Sequence, residues 1–119
     1  MKTSSLRKAT GSGLIVLAVA FVYFGWWAAP GDPASGKIAY ENHCLLCHTL
    51  NGQPQFTAEK FLRTEIDPLT SNEVQLKSDS QLRKIIVEGD GRMAPVKGLS
   101  HRQIVNVIAF VRSLGKTAK

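Results

Sequence analysis

Hydrophobic and polar positions along this 119-residue chain fall into three regimes. From Ala9 to Gly31 there is no charged residue, and the centre of the run, LIVLAVAFVYFGWWAA, is apolar on every side. That length suits a membrane-crossing helix. Lys2, Arg7 and Lys8 precede it, and Tyr23, Trp26 and Trp27 cluster at its far end, where amphipathic rings favour a headgroup layer. A cleaved leader opens the same way. A cut after Ala20, however, would expose FVYFGWW, and one after Ala29 puts bulky Trp27 third from the break. The expectation is a single uncleaved N-terminal transmembrane helix. With the positive charges inside, the N-terminus would be cytoplasmic and the rest periplasmic, in a bacterial inner membrane.

The second regime is helical. Asp32 is placed to cap a helix over 33–44, with Pro33 at the first position, where a missing N–H costs nothing. SDSQLRKIIVEG reads as another, with a Ser78/Gln81 capping box and a stop at Gly89. SHRQIVNVIAFVRSLGK repeats the box with Ser100 and Gln103. It aligns Ile104, Val107, Ile108 and Val111 on one face, and Gly115 is the expected stop. The third regime, residues 49–77, has broken periodicity interrupted by Pro54 and Pro68, with a short helix in TAEKFLRTE. Such a segment wraps something rather than forming its own core. GDGRMAPVKGL is a loop, and no run alternates as a strand. The expected fold class is all-α, divided into residues 1–31, a cytoplasmic tip and anchor, and a domain over 32–119.

The formal net charge of +6 changes this picture little. Three positive charges flank the apolar run. From Asp32 on, twelve basic residues face nine acidic ones, without the interleaved aromatics of a nucleic-acid surface. The 88 residues from Asp32 are few for a self-sufficient core, so a staple or cofactor is expected.

The chemistry lies in ENHCLLCHTL, which holds both cysteines and two of the three histidines. Dithiol redox centres open a helix in a βαβ pattern, whereas Cys44 and Cys47 close a helix with no strands nearby. Structural zinc needs four ligands, and only His101 remains elsewhere. Cys-x-x-Cys-His is the sequence form of covalent haem attachment. Two thiols one turn apart can each form a thioether to a vinyl group, and His48 follows as an iron ligand. The cofactor would also supply the apolar body that the short core lacks. For the opposite axial position Met93 is the one thioether outside Met1. His101 is the other candidate, and His43 is taken as a surface or packing residue.

With GKIAYENHCLLCH at the front and IVEGDGRMAPVKGLSHRQIVNVIAFVRSL at the back, the chain resembles a class I c-type cytochrome from about Asp32 to Leu114. The resemblance implies one covalently attached haem c, with Cys44 and Cys47 carrying thioethers and His48 and Met93 as axial ligands. First and last helices would cross near Gly36 and an aromatic, for which Phe110 fits. A proline carbonyl, from Pro54 or Pro68, would accept the proximal histidine's hydrogen bond. Phe56, Phe61, Leu62 and Leu69 are wall candidates, and Arg63 is a candidate partner for a propionate.

His/Met ligation fills both axial positions, which implies single-electron transfer rather than catalysis. Arg92, Lys97 and Arg102 are candidates for steering an acidic redox partner. With only about three linker residues between Ala29 and Asp32, spanning at most roughly 11 Å, the expected role is a subunit beside an integral oxidoreductase or photosynthetic complex. A tethered shuttle between complexes is the alternative. A gas-binding or catalytic haem protein with open iron is the competing class.

Overall fold

Asp32 begins the first helix as its side chain dictates. In the computed structural model, which describes residues 29–117, its carboxylate accepts from the N–H of Ala34 (3.2 Å) and Ser35 (2.9 Å). These satisfy donors that an uncapped helix would leave open. Helix α1 (Pro33–His43) ends where the Cys44 N–H donates to the Tyr40 carbonyl. A connection containing α2 (Phe56–Leu62) and the one-turn α3 (Asn72–Gln75) follows. Next come α4 (Asp79–Glu88) and α5 (His101–Thr117).

Both capping boxes form. Ser78 N–H donates to Gln81 Oε1 (2.7 Å) and Gln81 N–H to Ser78 Oγ (3.2 Å). The equivalent distances for Ser100 and Gln103 are 2.9 and 3.3 Å. Gly89 stops α4 with a φ of 82°, whereas Gly115 does not stop α5. A β-carbon there would run into the Gln75 side chain, so this glycine admits a neighbour instead of ending the helix.

The framework is the crossing of α1 with α5, and α4 also packs against α5. A β-carbon on Gly36 would overlap the Asn106 carbonyl and sit 3.0 Å from the Val107 nitrogen, so only glycine permits this approach. Tyr40 of α1 meets Phe110 of α5 edge to face, with centroids 5.0 Å apart. The four α5 positions read from periodicity, Ile104, Val107, Ile108 and Val111, are all buried. Buried Asn106 is satisfied by the Asp32 N–H (2.9 Å).

Arg112 and Gln75 fasten the far end of the connection to this framework. Arg112 of α5 donates to the carbonyls of Gln75 (2.7 Å) and Lys77 and to the Asp79 carboxylate (2.8 Å). Gln75 in turn donates to the carbonyls of Leu69 (2.6 Å) and Val111 (3.1 Å).

The all-α expectation stands, but its membrane part is corrected. Nearly all of the expected spanning run lies outside the described residues, and among those described no helix is long and apolar enough to cross a membrane. The longest, α5, has 17 residues and carries Arg102, Asn106, Arg112 and Lys116 among its apolar positions. The end of the expected run, residues 29–31, is docked on α5 rather than free as a linker. Arg102 Nη1 donates to the Ala29 carbonyl (3.0 Å), and a β-carbon on Gly31 would lie 2.8 Å from Ala109 Cβ. Neither the single-pass anchor nor the inner-membrane placement drawn from it is supported.

Candidate functional site

The first group of predicted site residues is brought together by the end of α1. Past His43 the chain tightens into a turn in which the Cys44 carbonyl accepts from the N–H of both Cys47 (3.2 Å) and His48 (2.9 Å). Both cysteines are free thiols and half-buried. Burial, with Cys47 adding to it, pushes the Cys44 thiol up to about 11. Burial also holds the His48 imidazole below its ordinary value, which leaves it neutral at pH 7, the form that binds metal.

The chain leaving the turn is fixed from several sides. His48 sits opposite Pro54 in an isolated antiparallel bridge. The flanking bonds run from Gln55 N–H to the Cys47 carbonyl (2.9 Å) and from Thr49 N–H to the Gln53 carbonyl (2.7 Å). Gln55 Nε2 reaches the Leu45 carbonyl (3.3 Å), and the Tyr40 hydroxyl donates to the Thr49 carbonyl (2.8 Å). Amid this network the buried His48 Nδ1 has no hydrogen-bond partner. The carbonyl of Pro68 accepts from Ser71 N–H (2.9 Å). Pro54 faces His48 in a non-hydrogen-bonded pair, an arrangement that points the two carbonyls apart. Neither proline accepts from the imidazole.

Met93 lies on a separate loop between α4 and α5 and makes no hydrogen bond with the cysteine turn. Its own position is tightly specified. Asp90 and Met93 exchange backbone hydrogen bonds (3.0 and 2.8 Å), and Val96 N–H returns to the Ile86 carbonyl on α4 (2.9 Å). A β-carbon on Gly89 would lie 2.5 Å from the Met93 carbonyl oxygen and 3.0 Å from Pro95 Cδ, so the glycine that ends α4 also lets the loop fold back on it. The two loops approach through their flanks, where a β-carbon on Gly98 would lie 4.0 Å from His43 Cε1.

Beside Met93 runs an open groove of about 470 Å³, lined by Leu62, Glu88, Asp90, Arg92 and Pro95 among others. Leu62 is thus placed with Met93. Leu69 packs against the core, whereas Phe56 and Phe61 are 66% and 86% exposed. Lys60 Nζ lies 4.5 Å from the Phe56 ring centroid. Arg63 is exposed, ends α2 with a left-handed φ of 52°, and makes no ion pair among the described residues. Of the three steering candidates, Arg92 and Lys97 are exposed, while Arg102 holds Ala29. His101 is exposed at the start of α5.

These residues fit a covalently held haem. Two free thiols share one turn with a half-buried imidazole whose Nδ1 is buried, and phenylalanines left open to solvent lie in the segment that follows. No group of three or more His, Cys, Asp or Glu among the described residues could hold a bare metal ion, so the site would bind through a different donor set. Sequence reasoning missed Tyr40's hydroxyl and Arg112. The first closes a bond across nine residues and the second across more than thirty, beyond any local pattern.

Comparison with known proteins gives the same answer. The chain is similar to a solved structure titled KustC0563 c-type cytochrome, with 28% identity, a TM-score of 0.58, and coverage of 66% of this chain and 95% of that one. It is also similar to cytochrome c6 from the diatom Phaeodactylum tricornutum, with 26% identity, a TM-score of 0.55, and coverage of 75% and 100%. No curated protein sequence matches. Residues 31–111 match the family model described as cytochrome c oxidase, cbb3-type, subunit III. That span takes in the α1–α5 crossing, the cysteine turn and the Met93 loop, and by it the chain belongs to this family of cytochrome c domains, whose work is electron transfer through haem.

Proposed function

We propose that this chain is a monohaem electron-transfer protein in which Cys44 and Cys47 would hold the haem through thioether bonds and His48 and Met93 would ligate its iron. The observation that carries the reading is that half-buried His48 shares one turn with two free thiols, a turn whose entry and exit are both hydrogen-bonded to the helix crossing. Bound haem supplies reversible one-electron chemistry at its iron. The chain's part is to hold that group in a low-dielectric setting. His48 stays unprotonated because burial disfavours its charged form. The Met93 loop is pinned at Asp90 and Val96, which suits a thioether that must return to one position. With His48 and Met93 both on the iron no place would be left for a substrate, so the protein would pass electrons and carry out no bond chemistry of its own.

The partner is a redox complex such as an oxidase, in keeping with the description of the matching family. Exposed Arg92 and Lys97, on the same loop as Met93, would give that encounter a basic contribution, weakened by salt.

The test is Met93→Ala in the haem-loaded protein. The expected result is a lower reduction potential together with new binding of carbon monoxide to the reduced form. A spectrum and potential unchanged from wild type would remove Met93 from the site. Carbon monoxide binding by the wild-type protein would favour the open-iron alternative.

A further inference from the structure

Tyr40 is a buried residue whose polar atom packing does not explain. It is 1% exposed, and its ring is wedged edge-on against Phe110. A phenylalanine would fill that space without a polar group to satisfy, and a buried phenol requires an acceptor. The acceptor here is the Thr49 carbonyl, at 2.8 Å. The backbone carbonyl of Tyr40 takes the Cys44 N–H, also at 2.8 Å. One residue therefore holds the chain both where it enters the cysteine turn and directly after His48 leaves it. The same ring locks both points to α5.

We propose that Tyr40 is a positioning residue for the axial imidazole. Its hydroxyl fixes the Thr49 carbonyl to the helix crossing and so sets the rotation of the His48 ring. The His48 N–H is bonded to the Cys44 carbonyl (2.9 Å), so the backbone of this residue is held from the turn on one side and through Thr49 on the other. This rests on the reading of His48 as an iron ligand.

The experiment compares haem-loaded wild type, Tyr40→Phe and Phe110→Leu. In the oxidised proteins, the order and spread of the haem methyl proton resonances report the plane of the axial imidazole. Reduction potentials are measured alongside. Tyr40→Phe is expected to keep a full complement of covalent haem but to rearrange the methyl resonances and shift the potential. Phe110→Leu, which disturbs the same crossing without touching the hydroxyl, should lower the denaturation midpoint and leave the methyl pattern unchanged. Wild-type methyl shifts and potential in Tyr40→Phe overturn the proposal while leaving the ligand assignment standing, as does the same rearrangement in Phe110→Leu. A wild-type chain without covalent haem overturns both. The wild type alone supplies a further check, since the Tyr40 hydroxyl proton should appear as a slowly exchanging resonance close to the turn, and rapid exchange would overturn the proposal without any variant.

Discussion

Asp32 shows how a single exposed residue can carry a sequence signal directly into structure. Its carboxylate accepts from Ser35 and Ala34, and the Ser35 hydroxyl, the Ser35 N–H and the Ala34 N–H, in that order, hold its pKa below the ordinary 3.8. The folded state therefore favours the ionised form. Its contribution is complete above the unfolded-state value and is lost as pH falls through the lower folded-state value. Asp32→Asn keeps an acceptor for the cap but has no carboxylate to titrate. The variant is expected to track the wild type at neutral pH and to fall off less steeply below about pH 4. Denaturant midpoints measured from pH 7 down to pH 2.5 would show this. Parallel curves throughout would mean that the cap does not depend on charge.

At the scale of elements, the sequence is most legible where a helix is specified by its own ends. Asp32 with Pro33, Ser78 with Gln81 and Ser100 with Gln103 each mark a start that the structure shows in the expected bonds. Elements specified from a distance were not legible. Helix α3 is a single turn, too short to be stable by its own propensity, and its last residue, Gln75, is bonded to Val111. Gly115 misled as a stop because its lack of a β-carbon serves that same Gln75 contact. Met93 and the cysteine turn were legible as residue types, whereas the bonds that place them were not.

The Arg112 latch allows a test at this scale. Its guanidinium side chain is 24% exposed, but its carboxylate partner on Asp79 is 73% exposed. Solvent screens such a pair, so it contributes at most about 1 kcal/mol. The bonds to the carbonyls of Gln75 and Lys77 are better sheltered, and hydrogen bonds to a charged group are worth about 1.5–3 kcal/mol. Asp79→Ala is therefore expected to cost under about 1 kcal/mol, and Arg112→Ala about 2–3 kcal/mol. Arg112→Lys should recover little, since an ammonium cannot span three acceptors in a fixed fork. Chemical denaturation of the three variants decides the matter. Equal losses in Asp79→Ala and Arg112→Ala would make the ion pair, not the carbonyl bonds, the source of the latch.

For the whole molecule, the question is what holds residues 49–77. Of the ten buried hydrophobic residues among those described, five belong to α5 and two to α1, while this segment supplies only Ala58 and Val74. It also carries Leu50, Phe56, Phe61 and Leu76 with 42–86% of their surface exposed. Fully burying a side chain of that size is worth about 1.5–3 kcal/mol. Ordering a residue costs about 1–2 kcal/mol in backbone entropy alone, so a segment that buries so little needs another source of stability. Arg112 and Gln75 tie its far end, and a few hydrogen bonds at Thr49 and Gln55 hold its entry, whereas an apolar cofactor attached at Cys44 and Cys47 would supply the burial that the near end lacks. Cys44→Ser combined with Cys47→Ser removes the attachment points without altering any backbone bond of the turn. Hydrogen–deuterium exchange on this variant is expected to show α1 and α5 still protected at their crossing, residues 49–70 largely unprotected, and 71–77 intermediate because of the latch. A reduced denaturant slope should accompany this, because less surface would be exposed on unfolding. Wild-type protection across 49–70 would instead mean that the polypeptide's own contacts order the segment. The exposed phenylalanines could then no longer be read as a wall that awaits a cofactor.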